Sequence, residues 1–81
     1  MQMEEQILAE GCRKGDDMAR KELYDRYAGR LLSICMRYAG DRATAEDLLH
    51  DAFLKIYGAF DRFTYRGTGS LRAWIERITV N

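Results

Sequence analysis

The 81 residues contain no proline, one histidine, two cysteines and no net charge at neutral pH. Each shortage excludes something. No apolar run approaches the roughly 20 residues that a membrane-spanning helix needs. The N-terminus is acidic, with Glu4 and Glu5, and lacks the long apolar stretch of a secretory signal. No membrane partner is therefore expected. The lone His50 cannot build a zinc or copper site by itself. Cys12 and Cys35 fit no metal spacing and read as reduced, partly buried thiols of a cytoplasmic protein rather than as a disulfide. There is no nucleophile–base pair, no phosphate-binding P-loop and no cluster of metal ligands, so neither enzymatic activity nor a cofactor is expected. The zero net charge also differs from the strongly basic balance usual in proteins that bind DNA unaided.

What is present reads as one ordinary globular domain of modest stability, 47% apolar and 32% charged. The charge is unevenly spread. Residues 41–61 carry Asp41, Glu46, Asp47, Asp51 and Asp61 against Arg42 and Lys55, whereas residues 62–81 carry Arg62, Arg66, Arg72 and Arg77 against Glu76 alone. Chance clustering on solvated faces and two surfaces with different partners both account for this.

The periodicity predicts an all-α bundle of three main helices plus a short N-terminal one. Ile7 and Leu8 mark the short helix, which ends between Gly11 and Gly15, and Asp16 or Asp17 suits the next N-cap. From there to Ala39, Leu23, Tyr24, Tyr27, Leu31, Ile34, Cys35 and Tyr38 recur at spacings of three and four. This helix, roughly 36 Å long at 1.5 Å per residue, carries Leu32 and Met36 on a second side and is expected at the centre. Gly40 and Asp41 then make a stop and a cap. A third helix follows to about Phe60, with a core stripe of Leu49, Ala52, Phe53, Ile56 and Phe60. Ser70 is expected to cap a last helix with the stripe Leu71, Trp74, Ile75 and Ile78. Trp74 suits the core better than a stacking role. No stop signal precedes Asn81, so the last helix is expected to be cut and residues 1–81 to be one piece of a longer protein.

Two places stand out. On the third helix, Asp47, His50, Asp51 and Leu54 share the face opposite the core stripe. They form either an ordinary exposed face or an apolar anchor with a polar rim. The second is "FDRFTYRGTGSLRAW", residues 60–74, in which aromatic and basic residues lead into Gly67-Thr68-Gly69-Ser70. Such a loop is either a connector or a ligand-binding segment.

The series "GDRATAEDLLHDAFLKIYGAFDRF", then "YRGTGSLRAWIERITVN", resembles region 2 of bacterial sigma factors, and within them the small extracytoplasmic-function group. The opening "GCRKGDDMARKELYDRYAGRLL" resembles the start of the same domain, so the likeness spans essentially the whole chain. It implies an all-helical domain that docks on the clamp helices of the largest subunit of RNA polymerase core and recognises and melts the promoter −10 element. In the family's docking motif Asp47 matches the first acid, His50 stands for the usual glutamine and Asp51 for the usual glutamate, with Leu54 one turn further. The loop implied to capture a flipped-out base of the non-template strand falls on residues 63–70.

On that reading Phe63 and Tyr65 stack on unpaired bases. Gly67, Thr68 and Gly69 bring backbone N–H groups close to the ligand. Ser70 and the start of its helix offer free N–H donors. Arg62, Arg66, Arg72 and Arg77 meet the backbone, and Asn81 matches an asparagine of the family's helix. An anti-sigma protein is a further potential partner. The alternative is a helical interaction adaptor that never touches nucleic acid, to which the zero net charge lends weight.

Overall fold

The computed structural model describes residues 3–80 and is all-helical over them: α1 (Glu5–Arg13), α2 (Asp17–Ala39), α3 (Arg42–Gly58), a 3-10 turn (Phe60–Arg62) and α4 (Ser70–Val80). The breaks have local causes. The Asp16 carboxylate accepts a hydrogen bond from Met18 N–H at 3.0 Å and caps α2. Gly40, at φ +83°, ends α2 in the left-handed conformation that a residue with a Cβ adopts only under strain. Asp41 then accepts from Thr44 N–H at 2.8 Å and from Thr44 Oγ1 at 3.0 Å. These bonds to its charged form, the backbone one first, hold its carboxyl below the usual range.

The packing follows from the stripes. Leu23, Tyr27, Leu31 and Cys35 are buried along α2, which touches α1, α3 and α4 and is the centre of the bundle. Leu49, Ala52, Phe53 and Ile56 are buried along α3, and Leu71 and Ile75 along α4. α1 lies directly on α2. A Cβ placed on Gly11 would stand 2.6 Å from Ala19 Cβ, so only glycine permits this close approach. Both cysteines are buried and unpaired, and burial pushes the Cys12 thiol up to about 11.

Three expectations change. α3 ends at Gly58, and Phe60 is buried from the 3-10 turn instead. Tyr24 and Tyr38 share the helical period of the α2 core but are exposed: Tyr24 rests tilted on Phe53, centroids 4.8 Å apart, and Tyr38 rims clefts between α2 and its neighbours. Trp74 is only half-buried, packed against the edge of the core with its ring on Phe60 and Phe63, at 5.0 and 4.9 Å. No helix among the described residues is long and apolar enough to cross a membrane.

Candidate docking face and nucleic-acid loop

The stripe that buries Leu49, Phe53 and Ile56 turns Asp47, His50, Asp51 and Leu54 outward, and all four are exposed. Leu54 is 57% exposed, a large apolar side chain left without cover by the fold. Among the described residues the one ion pair on this helix, Arg42 with Glu46 at 3.2 Å, leaves the two aspartates out. The face continues into apolar ground that the sequence did not single out. His50 and Leu54 border a groove between α2 and α3, floored by Tyr24, Leu32, Leu49, Phe53 and Tyr57. Asp51 borders a smaller one beside Leu48, Tyr38 and Ile78.

The loop begins where the aromatic cluster ends. Phe63 is buried, packed edge-on against Phe60 with centroids 6.1 Å apart. This corrects its expected role: a ring enclosed by Phe60 and Trp74 offers no face to a base. Its carbonyl accepts from the Arg13 guanidinium of α1, which fixes the chain as it leaves the core. Tyr65 is half-buried and faces a shallow pocket beside α1, lined also by Ala9, Glu10 and Arg13, rather than the basic side of the loop. The more accessible aromatic on the basic side is Trp74. With the buried Phe63 and with Arg62, Thr64, Arg66, Ser70, Ala73 and Arg77 it lines an open cleft between the loop and α4.

Gly67 and Gly69 lie at φ +105° and +90°, and a Cβ on either would meet nothing within 4 Å. They are glycines because of backbone conformation, not because of crowding. Ser70 does not cap α4 as expected, since it is already the first helical residue. Its hydroxyl donates to Gly67 O at 2.7 Å and accepts from Arg66 N–H at 3.1 Å, stapling the loop to itself.

The donors expected to be free at the start of α4 are partly occupied. The Glu5 carboxylate crosses from α1 and accepts from Gly69 N–H at 3.1 Å and from Leu71 N–H at 2.8 Å. A carboxylate at a helix N-terminus satisfies open donors and suits the dipole. No local sequence signal announces this link, because its partners are 64 and 66 positions apart. Thr68 and Arg66 are exposed, and Arg72 is paired with Glu76 at 3.0 Å. Asn81 lies outside the described residues.

The model of the Sigma-70 region 2 family matches residues 23–81. Over 82 residues the chain is 38% identical to the ECF RNA polymerase sigma-E factor of Escherichia coli and 37% identical to that of Salmonella typhi. Over 80 residues it is 32% identical to the RNA polymerase sigma-H factor of Pseudomonas aeruginosa. Each alignment covers 99% of this chain and 40% of the relative, so the chain spans about two fifths of the length of the curated relatives it matches.

Proposed function

Since the chain belongs to the Sigma-70 region 2 family, we propose that it is the promoter-recognition domain of an extracytoplasmic-function sigma factor. On this reading it acts in the cytoplasm with RNA polymerase core and has two working surfaces. The outer face of α3 docks on the clamp helices of the largest subunit. Leu54 is the apolar anchor, and Asp47, His50 and Asp51 form the polar rim that fixes register. The loop and its cleft take the non-template strand of the −10 element.

The observation that carries the reading is the basic cleft beside the loop, which Arg62, Arg66 and Arg77 line together with the half-buried Trp74. Arginines there meet phosphates as the loop backbone at Thr68 approaches an extruded base, and Trp74 supplies a stacking surface worth about 1–3 kcal/mol per base. Opening the duplex by such a domain needs no hydrolysis. Binding of the extruded bases offsets unstacking, which costs a few kcal/mol. An anti-sigma protein would inhibit by covering either surface.

The test is a pull-down of polymerase core, followed by titration of the complex with non-template −10 oligonucleotides changed one base at a time. Capture of core with a base preference that Arg66→Gln weakens supports the reading. Capture of core with equal affinity for every oligonucleotide would reduce the chain to an adaptor.

A further inference from the structure

Arg77 and Ala73 line not one cleft but two. On the α2 side of α4 lies a second open cleft of about 560 Å³, bounded by Gly29, Arg30, Ser33, Ile34, Arg37 and Tyr38 of α2 and by Ala73, Glu76, Arg77 and Val80 of α4. Its walls are two facing helical stripes. Residues 30, 33, 34 and 37 and residues 73, 76, 77 and 80 each follow the i, i+3, i+4, i+7 spacing of one helix face. Three guanidinium groups stand here against one carboxylate.

That carboxylate does not cancel them. Glu76 accepts from Arg30 and from Arg72, in both cases from Nε. An arginine bonded through Nε keeps the N–H donors of both its Nη groups. Arg30 and Arg72 remain about half exposed, so Glu76 holds their heads in place while leaving donors for a ligand. At the rim Tyr38 is 70% exposed, an aromatic the core does not use.

We propose that this α2–α4 cleft is a second nucleic-acid contact. In it Arg30 and Arg37 hold backbone phosphates of the strand that continues from the segment captured at the loop, and Tyr38 is placed to stack on an unpaired base. The proposal rests on the reading of the loop given above. Three features carry it: the shared wall at Ala73 and Arg77, which makes the basic surface continuous around α4; the excess of arginine over acid; and the spacing. Arg30 and Arg37 are seven residues apart on one helix face, about 10 Å along the axis, far enough for the two guanidinium groups to take separate phosphates of one strand. Planar guanidinium groups in an open cleft suit repeated phosphodiesters, which they bind by paired charge-assisted hydrogen bonds.

The experiment uses the complex with polymerase core and three non-template oligonucleotides: one confined to the base-capturing segment, one extended at its 5′ end and one extended at its 3′ end. With the parent, one extension tightens binding. Arg30→Gln with Arg37→Gln removes that gain, on the order of tenfold for each arginine–phosphate hydrogen bond removed. It also lowers the salt slope by about 1.4, at 0.7 per neutralised single-strand phosphate, while discrimination between bases at the loop persists. Arg37→Gln alone, which leaves the Glu76 pairs intact, lowers the slope by about 0.7. If neither extension tightens binding, or if the double variant keeps the gain and the slope, the cleft is not a strand path. Weakened core binding with an unchanged slope would assign the cleft to protein instead, and also overturns the proposal. If the parent complex shows no base preference at all, the loop reading fails and this one with it.

Discussion

Leu54 and Phe63 are both large apolar side chains, and the fold treats them oppositely. Leu54 contributes nothing to the core, so Leu54→Arg is expected to leave the melting temperature within error. Because Leu54 is the proposed anchor of the interface, the substitution is expected to weaken binding of polymerase core by about 2 kcal/mol or more, read by titration of core against the folded variant. Unchanged core affinity would remove α3 from the interface. Phe63→Ala is expected to act on the fold. Deleting a buried ring with Phe60 and Trp74 around it costs roughly 3–5 kcal/mol, read as a shift in a urea transition. A stable Phe63→Ala protein that no longer binds oligonucleotide would restore the stacking role.

Cys12 gives a pH signature. Its folded thiol, held near 11 by burial, loses its proton later than the unfolded thiol at 9.0. The folded state therefore binds more protons between those values, and stability falls as pH rises through that window. Below pH 9 the contribution is present in full. A Cys12→Ala variant is expected to lose less stability than the parent between pH 8 and pH 11 in parallel urea titrations. Equal losses would mean that the thiol is not shielded.

At the scale of elements, the helices were legible and the loop was not. Asp16, Gly40 and Asp41 announce their caps because a cap joins residues two to four apart, and most of the α2 and α3 stripes follow from the helical period, Tyr24, Tyr38 and Phe60 being the exceptions. Phe63 reads as a loop residue in sequence, and only the three-dimensional meeting of Phe60 and Trp74 encloses it. Likewise, nothing near Glu5 says that it will cap α4. Its removal is expected to show: Glu5→Ala should lower stability by about 0.5–2 kcal/mol, the usual range when a cap is removed. It should also speed hydrogen exchange at the Gly69 and Leu71 amides, and unchanged exchange there would mean the link carries no weight. Gly67→Ala and Gly69→Ala each force a side chain into a positive-φ backbone, at about 1–3 kcal/mol. They are expected to reshape the loop, with loss of base preference and a modest drop in melting temperature.

For the whole molecule, zero net charge and a basic patch are compatible because the acids gather elsewhere. The chain alone is expected to bind duplex DNA hardly at all and single strands only weakly. Its salt slope should be about −0.7 for each phosphate engaged, measured by fluorescence anisotropy across a salt series. Steep salt dependence with tight duplex binding would contradict the proposed division of labour, in which affinity comes from polymerase and selectivity from the loop. The helical class and the outward face of α3 could be read from one sequence. The half-buried Trp74 of the cleft and the pairing of Arg30 and Arg37 with α4 could not, because both depend on which helices become neighbours.

α1 is seated on α2 at Gly11 and fastened to the loop at two points, by Glu5 to the start of α4 and by Arg13 to Phe63 O. The loop is therefore not a portable cassette. Grafting residues 60–74 from a relative of different base preference into this chain is expected to give a destabilised chimera that reads bases poorly. Transplanting the relative's α1 together with its loop should recover both melting temperature and donor preference. Should the loop alone carry the preference across in full, specificity here would be modular after all, and α1 only a lid on the core.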